Sequence, residues 1–216
     1  MKMLLEEAGQ ARLKGDFDDA LTRYAIAQMQ AEANYLSEPG DTGDDVIAAL
    51  TGMSRTLSEM QRQDDAISVQ LALVQAAEKI AAERGAPSPQ HVENAKEELD
   101  GYWAALVSAA IDAENEEDFN KMYACHLRAL EVAETLIGDP PASEHRPRLV
   151  ISLMKAGDVE RAVERFEEAG ERWRRAESLL IGMAAEDADY EPMLASIGER
   201  LADLPPPAPS GSEETA

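Results

Sequence analysis

Cysteine is nearly absent from this chain of 216 residues: Cys125 stands alone, so no intramolecular disulfide and no multi-cysteine zinc site can form. A reducing compartment follows as the expectation, and with it a cytoplasmic location. Positive charge is scarce as well, with 20 Lys and Arg against 43 Asp and Glu and a formal net charge of −23. Nucleic-acid affinity rests largely on counterion release by Lys and Arg, so this balance excludes a simple phosphate-backbone binder. Anionic membrane surfaces are disfavoured for the same reason. Long apolar runs are missing too. The longest nearly apolar stretch, Tyr102 to Ile111, is about half of the roughly 20 residues a membrane-spanning helix needs. The N-terminus turns acidic at Glu6 before a signal-peptide core develops. Aromatic residues make up only 5% of the chain, so the core must be built from Ala, Leu, Ile, Val and Met.

Motifs that carry chemistry are absent in the same way. No two of the 13 glycines are two apart, which rules out G-x-G-x-x-G, and no Gly-Lys-Ser/Thr completes a phosphate-binding loop. The three histidines, His91, His126 and His145, never follow a Glu by three residues, so the helical carboxylate–histidine signature of di-iron bundles is missing. Cys125 beside His126 invites a thiol-nucleophile reading, but adjacent side chains on a helix diverge by about 100° and cannot share a hydrogen bond. Asp187, Asp189 and Glu191 alternate like the start of a calcium loop without its tight-turn Gly or distal Glu, and helix capping before Pro192 explains them better. The cluster from Asp41 to Asp45 reads likewise as a solvated acidic turn starting a helix. No metal, no cofactor and no enzymatic activity are expected.

What the chain does have is helical spacing of apolar residues between a few Gly- and Pro-rich breaks, which makes it all-α. The breaks are Ser37–Asp44, Gly85–Pro89, Gly138–Ser143 and a fourth around Asp187 to Pro192. Asp44 or Thr42 suits an N-cap; Gly85 suits a C-terminal cap, Ser88 an N-cap and Pro89 a first helical turn. After Leu204 the Pro/Ser/Glu-rich segment 205–216 has the composition of a disordered tail. The helical domain thus covers 1–204.

An internal repeat runs through that domain. Its first copy is Gly15-Asp-Phe17-Asp-Asp-Ala20-Leu-Thr-Arg-Tyr24-Ala-Ile-Ala27, and Gly157-Asp-Val159-Glu-Arg-Ala162-Val-Glu-Arg-Phe166-Glu-Glu-Ala169 reads in the same register. A third copy places Glu117, Phe119, Met122, His126 and Ala129 in the corresponding positions, and a second keeps Ala66 with Gln61 where the turn Gly would stand. The pattern has the logic of a helical hairpin. Gly ends the first helix in a conformation that penalises a side chain, a small Ala lets the second helix approach, and an aromatic four residues on seals the pair. On the marker residues Ala20, Ala66, Met122 and Ala162 the repeat intervals are 46, 56 and 40 residues. Trp103 and Trp173 are expected in the core or at repeat interfaces. Residues 77–100 either extend as a projecting helical hairpin or fold back through a bend at Asp100-Gly101.

This pattern resembles the tetratricopeptide repeat family, in its long-repeat form, over residues 2–183. The resemblance implies a right-handed superhelical stack of about four helix-turn-helix repeats (2–37, 44–84, 88–137 and 143–183) closed by a capping helix at 190–204. It also implies a concave groove, lined by the first helix of each pair, that binds peptides. Carried across residue by residue, the groove candidates are Leu5, Arg12 and Leu13, then Thr51, Arg55 and Glu59. Val107, Ile111 and Asn115 follow, and then Ile151, Met154 and Lys155. The family's clamp for a C-terminal carboxylate would need Lys and Asn where this chain has Leu5 and Gly9, Thr51 and Arg55, and Val107 and Ile111. Only Arg55 could serve, so the expected occupant is a partner segment with apolar anchors, such as an amphipathic helix, and the negative charge favours a basic partner. The expectation is a non-catalytic adaptor or scaffold. The alternatives are a client-binding chaperone or peptide-responsive regulator, and an acidic decoy of a basic partner; whether the chain is monomer or dimer is left open.

Overall fold

The computed structural model describes residues 1–37, 43–84, 90–138 and 143–206, and all regular structure among them is helical. In order these are α1 (Lys2–Leu13), α2 (Phe17–Ser37), α3 (Gly43–Glu59), α4 (Gln63–Arg84), α5 (Gln90–Asn115), α6 (Phe119–Ile137), α7 (Arg146–Ala162), α8 (Phe166–Glu186) and α9 (Glu191–Ala202). Short 3₁₀ turns precede α7 and α9. The chain forms two compact units, Met1–Tyr102 and Trp103–Ala216, and α5 supplies residues to both. In the first unit α1 to α4 pack each on the next, and in the second α6 to α9 do the same, in a stack of helical hairpins.

Carboxylates start the second helix of three of the four pairs. Asp18 and Asp19 lie in the first turn of α2, Asp64 and Asp65 in that of α4, and Glu167 and Glu168 in that of α8, where they meet the partial positive charge of the unpaired N–H groups. In α6 the same need is met by Asp118, whose side chain accepts from the Lys121 N–H at 3.0 Å. Asp44 falls in the first turn of α3 rather than at its cap. The other expected caps, Thr42, Gly85, Ser88 and Pro89, and the tail from residue 207 lie outside the described residues.

One backbone device closes all four hairpins. Gly15, Gln61, Glu117 and Glu164 carry φ of 82°, 60°, 59° and 63°. Each is followed by an N–H, of Asp16, Arg62, Asp118 or Arg165, that reaches back to the carbonyl of Ala11, Leu57, Ala113 or Glu160 at 2.9 Å. The turn residues themselves donate to Arg12, Ser58, Glu114 and Arg161 at 3.0 to 3.2 Å. This is the paired bonding of a left-handed C-terminal cap, which satisfies carbonyls that a helix end leaves open.

That geometry corrects the register of the fourth repeat. The turn lies at Glu164, seven residues beyond Gly157, and Gly157 is buried inside α7. The equivalent of Ala20 is therefore Ala169, not Ala162, and the turns recur at 46, 56 and 47 residues. Gly157 is small for a packing reason: a Cβ there would lie 2.7 Å from Cδ1 and 3.0 Å from Cε2 of Trp173.

In the corrected register the position nine residues after each turn is Tyr24, Gln70, His126 and Trp173, and all four are buried. Trp173 centres the core of the second unit with Leu149, Leu153, Leu180 and Ile197, and its indole N–H donates to the Met154 carbonyl at 3.2 Å. Trp103 packs against that core, donates to Ser152 Oγ at 2.8 Å and lies under the Arg148 guanidinium at 5.5 Å. In the first unit, α4 runs to Arg84 and α5 starts at Gln90 without a break at Gly101. Ala77, Ile80 and Ala81 of α4 and Val92, Ala95 and Leu99 of α5 are buried, and Lys96 pairs with Glu78 at 2.6 Å. The end of α2 lies beside this pair, because Tyr35 donates to Glu83.

Candidate partner-binding faces

Helical periodicity sorts the first helix of each pair into two faces. Seven and four residues before each turn stand Ala8 and Ala11, Ser54 and Leu57, Ala110 and Ala113, and Gly157 and Glu160, all buried. Ten, six and two residues before the turn stand Leu5, Gly9 and Leu13; Thr51, Arg55 and Glu59; Val107, Ile111 and Asn115; and Met154, Asp158 and Ala162. These i, i+4, i+8 sets share a face, and that face is half-buried at its start and mostly exposed towards the turn.

In the first unit the face is partly self-neutralised. Arg12 forms an ion pair with Glu59, which removes one of the two cations expected there. Ser58 Oγ and the Tyr102 hydroxyl hydrogen-bond at 2.6 Å beside it. Leu5 packs against Ala8, Ala11, Ala20 and Tyr24, whereas Leu13 is 71% exposed. Thr51 is half-buried, and Arg55 is exposed with no hydrogen bond or ion pair among the described residues.

In the second unit, Val107 is half-buried, Ile111 is 52% exposed and Asn115 is exposed. Ile151 and Met154 are half-buried and keep to the same face of α7. Lys155 is exposed, and its charge acts on His126 of α6. In the corrected register the place expected of Lys155 falls to Ala162 and that expected of Ile151 to Asp158, which holds Arg200 of α9 through two bonds at 2.7 and 3.3 Å. The expected candidate list missed Asp158. Its signal was the Phe that stands two residues after the turn in Gly15-Asp-Phe17, Glu117-Asp-Phe119 and Glu164-Arg-Phe166.

Two titratable groups behind these faces are displaced by their surroundings. Burial lowers the pKa of His126, and the nearby Lys155 lowers it further against the opposing pull of Glu114 and Asp158. Burial raises the pKa of Glu160, offset in part by Arg172 and Arg165. The Glu160–Arg172 pair is 3.6 Å apart, and Oε2 of Glu160 and Nε of Arg172 are buried without a hydrogen bond. Cys125 is half-buried. Asp187 accepts from the Asp189 N–H at 3.0 Å, the capping role expected of it. Among the described residues no group of three or more His, Cys, Asp and Glu is placed to hold a metal ion, and no helix is long and apolar enough to cross a membrane.

No protein-family model matches this chain, and no curated protein matches it. Among solved structures it is similar to the crystal structure of BtubC (BKLC) from P. vanneervenii, at 17% identity and a TM-score of 0.32 over 95% of this chain and 82% of that one.

Proposed function

We propose that this chain is a non-catalytic adaptor of the tetratricopeptide-repeat type, working in the cytoplasm, whose first-helix faces hold an apolar-anchored segment of a protein partner. The observation that carries this reading is the open face that recurs at equivalent positions of successive first helices. In the first unit Thr51 and Arg55 of α3, and separately in the second unit Val107 and Ile111 of α5, stand half or fully exposed beside residues that are buried. Ile111 at 52% exposure and Arg55, which is exposed and makes no ion pair among the described residues, supply an apolar anchor point and a cation in an otherwise acidic chain. The net charge of −23 speeds the approach of a basic partner and does less for the final affinity.

Affinity capture from native lysate, at low and then moderate salt, tests this. One stoichiometric protein that survives moderate salt is expected, and its capture drops when Arg55 and Ile111 are both replaced by Ala while helicity and melting stay unchanged. Undiminished capture by the double variant removes these faces from the binding site. A mixture of basic proteins lost on adding salt would mean that net charge alone does the binding.

A further inference from the structure

The outer face of α2 is unlike the same face of the other second helices. Eleven, fourteen, eighteen and twenty-one residues after the turn, α2 presents Ile26, Met29, Ala33 and Leu36, all exposed, the three large ones at 41%, 70% and 78%. The equivalent residues of α4 are Ala72, Gln75, Lys79 and Ala82, and those of α8 are Arg175, Ser178, Gly182 and Ala185. These are exposed as well, so the face points to solvent in α4 and α8 as in α2; in α6 and its C-cap it holds Arg128, Glu131, Thr135 and Gly138, partly buried except for the exposed Glu131, and only α2 fills it with large apolar side chains. Charge is cleared from the same stretch. Between Tyr24 and Ser37 the one charged residue is Glu32, whereas Gln70–Glu83 carries three and Trp173–Glu186 carries four.

We propose that two copies of this chain associate through the Ile26, Met29, Ala33 and Leu36 face of α2. The charge pattern selects this occupant. A cationic partner is drawn to carboxylates, and a chain of net charge −23 has them to spare, yet here they are missing. A second copy is the partner for which each carboxylate is a penalty, because a two-fold contact sets every residue against the same surface of its mate. The stripe runs over eleven residues, Ile26 to Leu36, a rise of about 15 Å along the helix. It therefore covers less than the roughly 800 Å² per partner of a standard stable interface. The dimer is consequently weak and dependent on concentration. Salt strengthens it, since screening relieves the repulsion between two acidic bodies while leaving apolar contact intact.

Sedimentation equilibrium of the full chain, over about a hundredfold range of concentration at low and moderate salt, decides the matter. A monomer–dimer equilibrium that tightens with salt is expected. Met29→Glu and, separately, Leu36→Glu place like charges opposite one another and weaken association about tenfold or more. Ser178→Glu, on the equivalent face of α8, leaves it unchanged. Both α2 positions are largely exposed in the monomer, so circular dichroism and melting of the variants match the parent. A chain that stays monomeric at every concentration and salt, whatever else then covers the stripe, overturns the proposal. So does a dimer that weakens with salt, or one that Met29→Glu leaves intact.

Discussion

Gly157→Ala separates a glycine that allows close packing from one that makes a turn. Ala is the better helix former, and in an open helix position the exchange stabilises by about 0.5–1 kcal/mol. At Gly157 the new Cβ would meet the Trp173 ring at 2.7 and 3.0 Å, and the ring is fully buried and tethered to the Met154 carbonyl. It has no free end to swing aside, so α7 or α8 must shift. Overpacking of this kind costs about 1–3 kcal/mol, which outweighs the helix gain and leaves a net loss of about 1–2 kcal/mol. Gly182→Ala in α8 is the control, because nothing lies within 4 Å of a Cβ there; it should gain about 0.5–1 kcal/mol. Urea unfolding followed by tryptophan fluorescence is the assay, since Trp103 and Trp173 both belong to the second unit. The Gly157→Ala midpoint should fall by about 0.5–1 M with the slope unchanged, and the Gly182→Ala midpoint should rise. A Gly157→Ala protein as stable as the parent would refute the packing argument and return Gly157 to the status of an ordinary helix residue.

Glu164→Gly should stabilise the second unit by about 1 kcal/mol, because a left-handed φ of 63° strains any residue with a Cβ; an unchanged or lower urea midpoint would count against it. His126 has a folded pKa below its unfolded value, so the unfolded state takes up a proton first as pH falls through about 6.5. Stability of the second unit should drop from there until the folded pKa is passed, and His126→Gln should abolish that part of the pH dependence in unfolding midpoints measured between about pH 7.5 and 5.5. Glu160 has the opposite sign: its folded pKa lies above its unfolded one, so its burial weighs against folding at neutral pH and is relieved as pH falls through the folded value. Glu160→Leu, which restores the residue type that Leu57 shows in the second repeat, should leave the neutral-pH melting temperature unchanged or higher by up to about 4 °C; a clear drop would show that the Arg172 pair is net stabilising.

The helices and the first three hairpins were legible because their marks are local: acidic first turns, breaks rich in Gly and Pro, and apolar spacing that closes within one helix. The fourth register was misread because Gly-Asp in Gly157-Asp158 imitates Gly15-Asp16, and residue type does not reveal which glycine has a positive φ. The turns at Gln61, Glu117 and Glu164 show why: their left-handed backbone comes from the paired carbonyl bonds at the end of each first helix, which the chain makes with whatever residue is there. Charge pairing was hidden by distance. Arg12 and Glu59 are 47 residues apart, and Asp158 and Arg200 are 42 apart. Each pair takes from the candidate face a charge that the sequence presents as available.

The α2 stripe was hidden for a different reason, since apolar spacing alone does not separate Ile26, Met29 and Leu36 from core residues until the position of every second helix relative to its turn is known. Rings and glycines then fall into one scheme. A Cβ at Gly52 would lie 2.8 Å from Cδ1 of Tyr24, and one at Gly157 meets Trp173, so the large ring at this buried position is matched by a residue without a side chain on a neighbouring first helix. Where the same position holds a smaller polar group, the match takes another form. Gln70 donates to the Ala95 carbonyl at 2.9 Å, and burial lowers the pKa of His126. Each repeat thus solves the same steric problem at its buried centre with different chemistry, while the residues that distinguish one second helix from another are turned outward.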